Sequence, residues 1–233
     1  MPGRWKSYSV GLKNVDSAPP GEMKAEMAGR PLLVNVVLFR LSDETLQVLL
    51  TSPLQSWEIP GSELDGAEGL EQAAERTIAS LLNRPKTHIE QLFTYGNDRQ
   101  SPVRVVYFAI VPAEAGLAAY KPLRWMAVSP PPPLDQEHTD ILAYALRRLR
   151  YKLEYTAVGF QLLPAEFTLS ELQHTYEIIL DEKLDKRNFR RRMLQSGIIE
   201  MTSHLRTGEG RPARLYRYRP DAVAEVKARR LFP

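Results

Sequence analysis

The sequence predicts an α+β chain in two domains: a strand-rich front half with one amphipathic helix set into it, and a helical, basic back half that ends in a hairpin. Three observations predict it. The segment Leu32-Leu-Val-Asn-Val-Val-Leu-Phe-Arg-Leu41 is crowded with β-branched and aromatic residues, the pattern of a buried strand. Leu70, Ala73, Ala74, Thr77, Ile78 and Leu81 recur at helical spacing and make one buried face. The charge also changes sign along the chain. Residues 1–146 carry 13 basic and 17 acidic side chains, net −4, whereas residues 147–233 carry 18 and 11, net +7. Two halves of opposite charge suggest different partners for each.

The 233 residues suit one large domain or two small ones, and 43% hydrophobic with 25% charged residues is enough to close a core without staples. The lack of cysteine excludes disulfides, thiolate catalysis and cysteine-ligated zinc. No apolar run reaches the roughly eighteen residues of a membrane span. Residues 1–30 are polar, with scattered Gly, Pro and Lys, and lack the apolar stretch of a signal peptide. A cytoplasmic protein is expected, with residues 1–30 as an arm, an extra strand or a partly disordered lead.

In the front half, Ser42-Asp-Glu-Thr45 turns the chain and residues 46–51 form a second strand. Residues 61–69 read as a loop and 68–83 as the amphipathic helix. Further strands are expected over 89–95, 103–111 and 123–128. The run Pro130–Pro133 cannot be helical and reads as a stiff extended spacer. A long helix over 135–155 follows, with Ile141, Leu142, Ala145, Leu149 and Leu153 on one face and Arg147, Arg148, Arg150 and Lys152 elsewhere. It closes a first domain, residues 31–150, and leads into a second, residues 151–233.

Thr168-Leu-Ser-Glu171 is a capping box that starts a helix to about residue 180, burying Leu169, Leu172, Tyr176 and Ile179. After a short turn, Asp185 caps a second helix that Gly197 ends. Its seam is Phe189, Met193 and Leu194, and Lys186, Arg187, Asn188, Arg190, Arg191 and Arg192 fill the rest. Residues 198–202 and 215–219 alternate around a polar turn, a hairpin with Arg211 and Arg214 at its tip and flank. A capped helix, a turn, a basic helix and a basic hairpin in that order describe a winged helix-turn-helix. In such a fold the second helix enters the major groove, where Arg pairs with guanine and Asn with adenine, and further cations meet phosphates. The DNA-facing set is Thr168, Lys186, Arg187, Asn188, Arg190, Arg191, Arg192, Arg211 and Arg214. A small helical domain with a solvated basic face, or one that takes RNA or a protein partner, is the alternative for the same residues.

Trp57-Glu-Ile-Pro-Gly-Ser-Glu-Leu-Asp-Gly-Ala-Glu68 followed by Ala73-Ala-Glu-Arg76 resembles the start of a Nudix box, in which a helix presents carboxylates to magnesium ions that polarise a diphosphate. Glu68 and Arg76 match that motif. Ser62 stands where the motif has glycine, Thr77 where it has glutamate, Ser80 and Leu81 where it has a glutamate pair, and Asn83 where it has glycine. With those carboxylates replaced, no efficient metal-dependent hydrolysis is expected, and no catalytic residue, metal or cofactor is assigned.

A degenerate Nudix box in front of a winged helix resembles the Nudix-related transcriptional regulators, best known as repressors of NAD biosynthesis. Gln91-Leu-Phe-Thr-Tyr-Gly-Asn-Asp-Arg99, Glu137-His-Thr-Asp-Ile-Leu142, Leu184-Asp-Lys-Arg-Asn-Phe-Arg-Arg191 and Arg211-Pro-Ala-Arg-Leu-Tyr216 extend the resemblance, which covers residues 32–219. It implies a Nudix-like α/β/α sandwich sensor domain followed by the winged helix. It also implies a homodimer on a palindromic double-stranded operator and ADP-ribose or a related NAD metabolite as effector. The loop after Arg99 is shorter than the family's, so a sugar effector, as in some relatives, is one alternative. A divergent hydrolase of nucleoside diphosphate derivatives is another.

Candidates for the effector are Trp57, Glu68, Arg76, Phe93, Tyr95, Arg99 and Arg104. Arg99 and Arg104 suit a diphosphate. Arg76 does so too, or else it pairs internally with Glu68. Trp57, Phe93 and Tyr95 either stack on adenine or belong to the core. His138 braces the long helix, and His88, His174 and His204 lack metal-ligand spacing. No Ser-His-Asp set and no phosphate-cradling Gly-rich loop is present.

Overall fold

The computed structural model describes residues 31–53, 56–83, 87–96, 101–118, 122–155, 157–207 and 212–219. The arm assigned to residues 1–30, the ligand candidate Arg99 and the hairpin-tip Arg211 lie outside the described residues. Six strands form one sheet: β1 (Leu32–Ser42), β2 (Thr45–Thr51), β3 (Gly61–Glu63), β4 (Glu90–Tyr95), β5 (Val103–Ile110) and β6 (Leu123–Ala127). Their order is β4-β5-β1-β2-β6, with β3 also on β1. The long β1 runs parallel to β5 from Leu32↔Val103 to Phe39↔Ile110. It turns into antiparallel β2 through Asp43 and Glu44, whose φ values of 50° and 56° give a two-residue loop the twist of its strands.

Alternation along the strands divides the core into two layers. Val34, Val36 and Leu38 of β1 with Val105, Tyr107 and Ala109 of β5 face α1 (Leu70–Leu81), which buries Ala73, Ala74, Ile78 and Leu81 against them. Val37 and Phe39 with Val106, Phe108 and Ile110 face the other way, onto Ile141, Leu142, Ala145 and Leu149 of α2 (Gln136–Tyr155). A helix on each face of a mixed sheet is the expected α/β/α sandwich.

Beyond α2 the chain forms a 3-10 helix (Ala157–Leu162), α3 (Leu169–Leu180), α4 (Lys186–Ser196) and the strands β7 (Ile199–Arg206) and β8 (Ala213–Tyr218). The apolar layer under α2 continues without a break through Leu153, Phe160, Phe167, Leu172, Tyr176, Phe189 and Met193. Among the described residues no helix is long and apolar enough to cross a membrane.

The structure corrects several details. Residues 61–63 are a strand rather than loop. β2 covers only the end of β1, which leaves the backbone groups of Leu33, Val34 and Asn35 to be paired by β3. The first helix starts at Leu70, not at Glu68. The Gly69 N–H is taken by the Gln72 carboxamide at 3.0 Å, and Glu68 turns back to accept from the Asp65 N–H at 3.1 Å. The hairpin strands are longer than expected on the β7 side, and Leu194 leaves the apolar seam: Phe189 and Met193 are buried, but Leu194 is 52% exposed.

Candidate nucleic-acid interface and ligand cleft

The helix pair is fixed by side-chain caps at each end. The Thr168 hydroxyl accepts from the Glu171 N–H at 3.1 Å, and the Glu171 carboxylate accepts from the Thr168 N–H at 2.7 Å. Thr168 itself is 8% exposed, so the structure commits its hydroxyl to the cap. Asp181 ends α3 in the left-handed conformation. The turn to α4 is held by Glu177, whose carboxylate accepts from the Leu184 N–H at 3.0 Å and from the Gln173 carboxamide at 2.9 Å. Partial burial would raise the Glu177 pKa, but these bonds and Lys183 outweigh it and hold the carboxyl below the usual range. Asp185 then accepts from the Asn188 N–H at 2.7 Å and starts α4, and Gly197 (φ 70°) stops it.

Packing sets which face of α4 looks outward. Phe189 sits edge-on against Tyr176 of α3, with ring centroids 5.6 Å apart, and Met193 lies one turn on. Lys186, Arg187, Arg191, Leu194 and Gln195 are therefore exposed, and Asn188, Arg190 and Arg192 half-buried. The Asn188 carboxamide accepts from Arg191 at 2.8 Å, and Arg190 donates to Ser170 on the first turn of α3 at 3.0 Å. Two of the proposed cations are thus pre-positioned by neighbours on the same surface.

The hairpin is anchored to this pair by a contact the sequence did not announce. Phe167 and Tyr216 exchange two backbone hydrogen bonds, 2.9 and 2.8 Å, so β8 is held between β7 and the residue that precedes the α3 cap. Phe160 stacks between Phe167 and Tyr218 at 5.5 and 5.2 Å. At the β7 end His204 meets the Glu166 carboxylate at 2.9 Å, and Arg206 pairs with Glu171. Arg214 reaches across to the Met201 sulfur at 3.1 Å.

The second candidate site is a cleft of about 400 Å³ where β3 meets α1, lined among others by Glu58, Ser62, Arg76, Thr77, Ser80 and Leu81. Its floor is built from hydroxyls. Ser62 and Thr77 lie 2.7 Å apart, Thr77 also donates to the Ala73 carbonyl at 2.8 Å, and Ser80 donates to the Thr77 carbonyl at 2.8 Å. Burial raises the Glu58 pKa, with Arg104 opposing it and Asp135 adding to it. Arg76 stands at the rim. It pairs with Glu68, donates to the Glu63 carbonyl at 3.0 Å and holds the Glu68 carboxyl below its ordinary range.

Of the other ligand candidates, four lie across the sheet on the α2 side. Arg104 donates to Glu137 at 2.8 Å and to the Asn35 carboxamide oxygen at 3.2 Å. Phe93 packs on Tyr144 of α2 at 4.4 Å and edge-on to Tyr95 at 6.1 Å. Trp57 is packed against the same apolar layer. The two groups meet at residues 58–60, where Glu58 and Pro60 line the cleft and Ile59 between them contacts the start of α2. The Ile59 N–H donates to His138 Nδ1 at 3.1 Å, and the Ile59 carbonyl accepts from Asn35 at 3.0 Å. His138 is thereby the brace that the sequence suggested.

Comparison with known proteins gives four similarities. The family model for the NrtR DNA-binding winged helix domain matches residues 159–218, from the 3-10 helix to the end of β8. A curated relative from Acinetobacter baylyi, the "ADPR responsive transcriptional repressor NtrR", is 33% identical over 211 residues, 84% of each chain. The crystal structure of Shewanella oneidensis NrtR complexed with a 27mer DNA superimposes with a TM-score of 0.71 and 35% identity, covering 82% of this chain and 94% of that one. A MutT/nudix family protein from Enterococcus faecalis, at a TM-score of 0.65 and 20% identity over 87% and 94% of the two chains, has the same fold.

Proposed function

Since the chain belongs to the NrtR family of Nudix-related transcriptional regulators, we propose that it is a DNA-binding repressor whose Nudix-like half senses ADP-ribose. The observation that carries the reading is the exposed face of α4: a helix capped by Asp185, seated on α3 through Phe189 and followed at once by an anchored hairpin, with Arg187 and Arg191 turned outward. The Acinetobacter relative's response to ADPR and the Shewanella relative's DNA complex support the two halves of the reading. In this proposal residues 31–150 sense, residues 151–233 bind DNA and residues 1–30 are an arm. The cytoplasmic chain works as a homodimer on a palindromic operator, with half-sites about one helical turn apart, upstream of NAD biosynthesis or salvage genes.

The donor set of the cleft does not fit a magnesium-dependent hydrolase. Mg²⁺ favours carboxylate and water oxygens in octahedral geometry. Here Thr77 and Ser80 spend their hydroxyls on Ser62 and on backbone carbonyls, Leu81 is apolar, and Glu68 is paired with Arg76. The cleft offers instead the Arg76 guanidinium at its rim, which suits a diphosphate held without turnover. We assign the ligand's phosphates to Arg76, with Glu68 orienting it. Trp57, Phe93, Tyr95 and Arg104 act on the far side of residues 58–60, transmitting occupancy to the start of α2. Arg150 of α2 donates to the Ile179 carbonyl of α3 at 2.9 Å, so a shift of α2 reaches the DNA-binding pair. Coupling of about 1–3 kcal/mol suffices for such a switch.

The test is fluorescence anisotropy on the chain's own upstream promoter, with and without ADP-ribose in magnesium buffer. Tight binding that ADP-ribose alters is expected. Arg187→Ala with Asn188→Ala should abolish sequence-specific binding and leave ADP-ribose binding intact, whereas Arg76→Ala should abolish the response and leave DNA binding intact. Magnesium-dependent release of AMP from ADP-ribose would instead favour a hydrolase.

A further inference from the structure

The outward face of α4 is not wholly basic. Arg187, Arg191, Leu194 and Gln195 fall on one stripe of the helix, and all four are exposed. Leu194 is the anomaly on it, 52% exposed on a helix whose buried seam is already complete with Phe189 and Met193. Exposed large hydrophobics among the described residues are Tyr144, Tyr151, Leu194, Met201 and Leu205, so three of the five lie on α4 and β7.

An apolar side chain on a stripe of arginine and glutamine has one apolar partner in the major groove. The groups that identify the bases there are hydrogen-bond donors and acceptors, apart from the thymine 5-methyl. We propose that Leu194 is a specificity-determining residue that contacts a thymine methyl in each half-site, beside the base or phosphate engaged by Arg191. The inference rests on the reading of α4 as the DNA-facing helix. It adds what that reading lacks, a base preference with no hydrogen bond behind it. The i, i+3 spacing from Arg191 places both side chains on one face of α4.

Uracil differs from thymine only by that methyl, so the contact can be removed from the DNA side. A binding site is first selected from a random duplex pool with the full-length protein. Each thymine of the selected site is then replaced in turn by uracil, and affinity is measured for the wild type, Leu194→Ala and Arg187→Ala. The expected result is a loss of about fourfold for the wild type at one thymine per half-site, the worth of burying one methyl-sized group. Leu194→Ala should bind thymine DNA more weakly by a similar factor and be indifferent to uracil at that position. Arg187→Ala should bind more weakly overall but keep the thymine preference. A selected site without thymine overturns the proposal. So does a uracil effect of the same size in Leu194→Ala and the wild type. So does a Leu194→Ala variant that changes oligomeric state in sedimentation with its base preference unchanged, which would make Leu194 a contact between copies. If no sequence is enriched from the pool, the DNA-binding reading fails and this inference falls with it; the other outcomes leave that reading standing.

Discussion

Burial disfavours a charge on His138. It is 3% exposed, and its Nδ1 is occupied as the acceptor of the Ile59 N–H. Burial is the main force holding its pKa below the ordinary imidazole value; Asp135 opposes this, Arg104 adds to it and Glu137 opposes it. In the unfolded chain the same ring titrates near about 6.5. Its contribution to stability is therefore fully present above that pH. It is lost as the pH falls below it toward the depressed folded value, because the unfolded chain then binds a proton that the folded chain refuses. His138→Asn, which keeps an acceptor for Ile59 but does not titrate, should flatten the fall in Tm between about pH 7.5 and 5.5. Equal slopes for the two proteins would show that the ring is not a source of the pH dependence.

At the scale of elements, the helix pair was the most legible part of the chain because its signals are local. Thr168 with Glu171, Asp185 and Gly197 each act within a few residues of where they stand, and the helices begin and end there. Thr168→Ala should cost about 1 kcal/mol in urea denaturation, the ordinary value of a lost N-cap, and Thr168→Ser should restore it. β3 was not legible, because Gly61-Ser-Glu63 has no strand character of its own. It is a strand because β2 leaves the start of β1 open on the edge away from β5. The same holds for the Phe167–Tyr216 pairing, which joins residues far apart in sequence. In the cleft, the substitution of hydroxyls for carboxylates was readable. That Ser62 and Thr77 satisfy one another was not, since it depends on how β3 lies over α1. Leu194 was misread because the helical period alone does not say which neighbour of a buried pair points to solvent.

For the whole molecule, the apolar layer beneath α2 matters most. It runs from Val37 and Phe108 in the sheet through Leu149 and Leu153 to Tyr176, Phe189 and Met193 beneath the outward face of α4. Gly159 shows how tight the junction is, since a Cβ there would lie 2.8 Å from Leu153 and 2.9 Å from Tyr176. Thermal unfolding should therefore be one transition, with the same midpoint whether followed by near-UV signal or by loss of DNA binding. ADP-ribose at about a hundred times its dissociation constant should raise that midpoint by roughly 5–10 °C, from about 2.7 kcal/mol of ligand stabilisation. Two separate midpoints, with only one moved by ADP-ribose, would mean that the halves unfold independently.

That shared core also constrains how chains of this kind diverge. A lineage cannot exchange its DNA reader for another by recombination at the middle of α2, because the new partner would have to fit Leu149, Leu153 and the space beside Gly159 from the first generation. Innovation is left to the surfaces that the core does not use. The exposed side chains of α4 and the lining of the hydroxyl-floored cleft can each change by point substitution, and neither change disturbs the inheritance of the other.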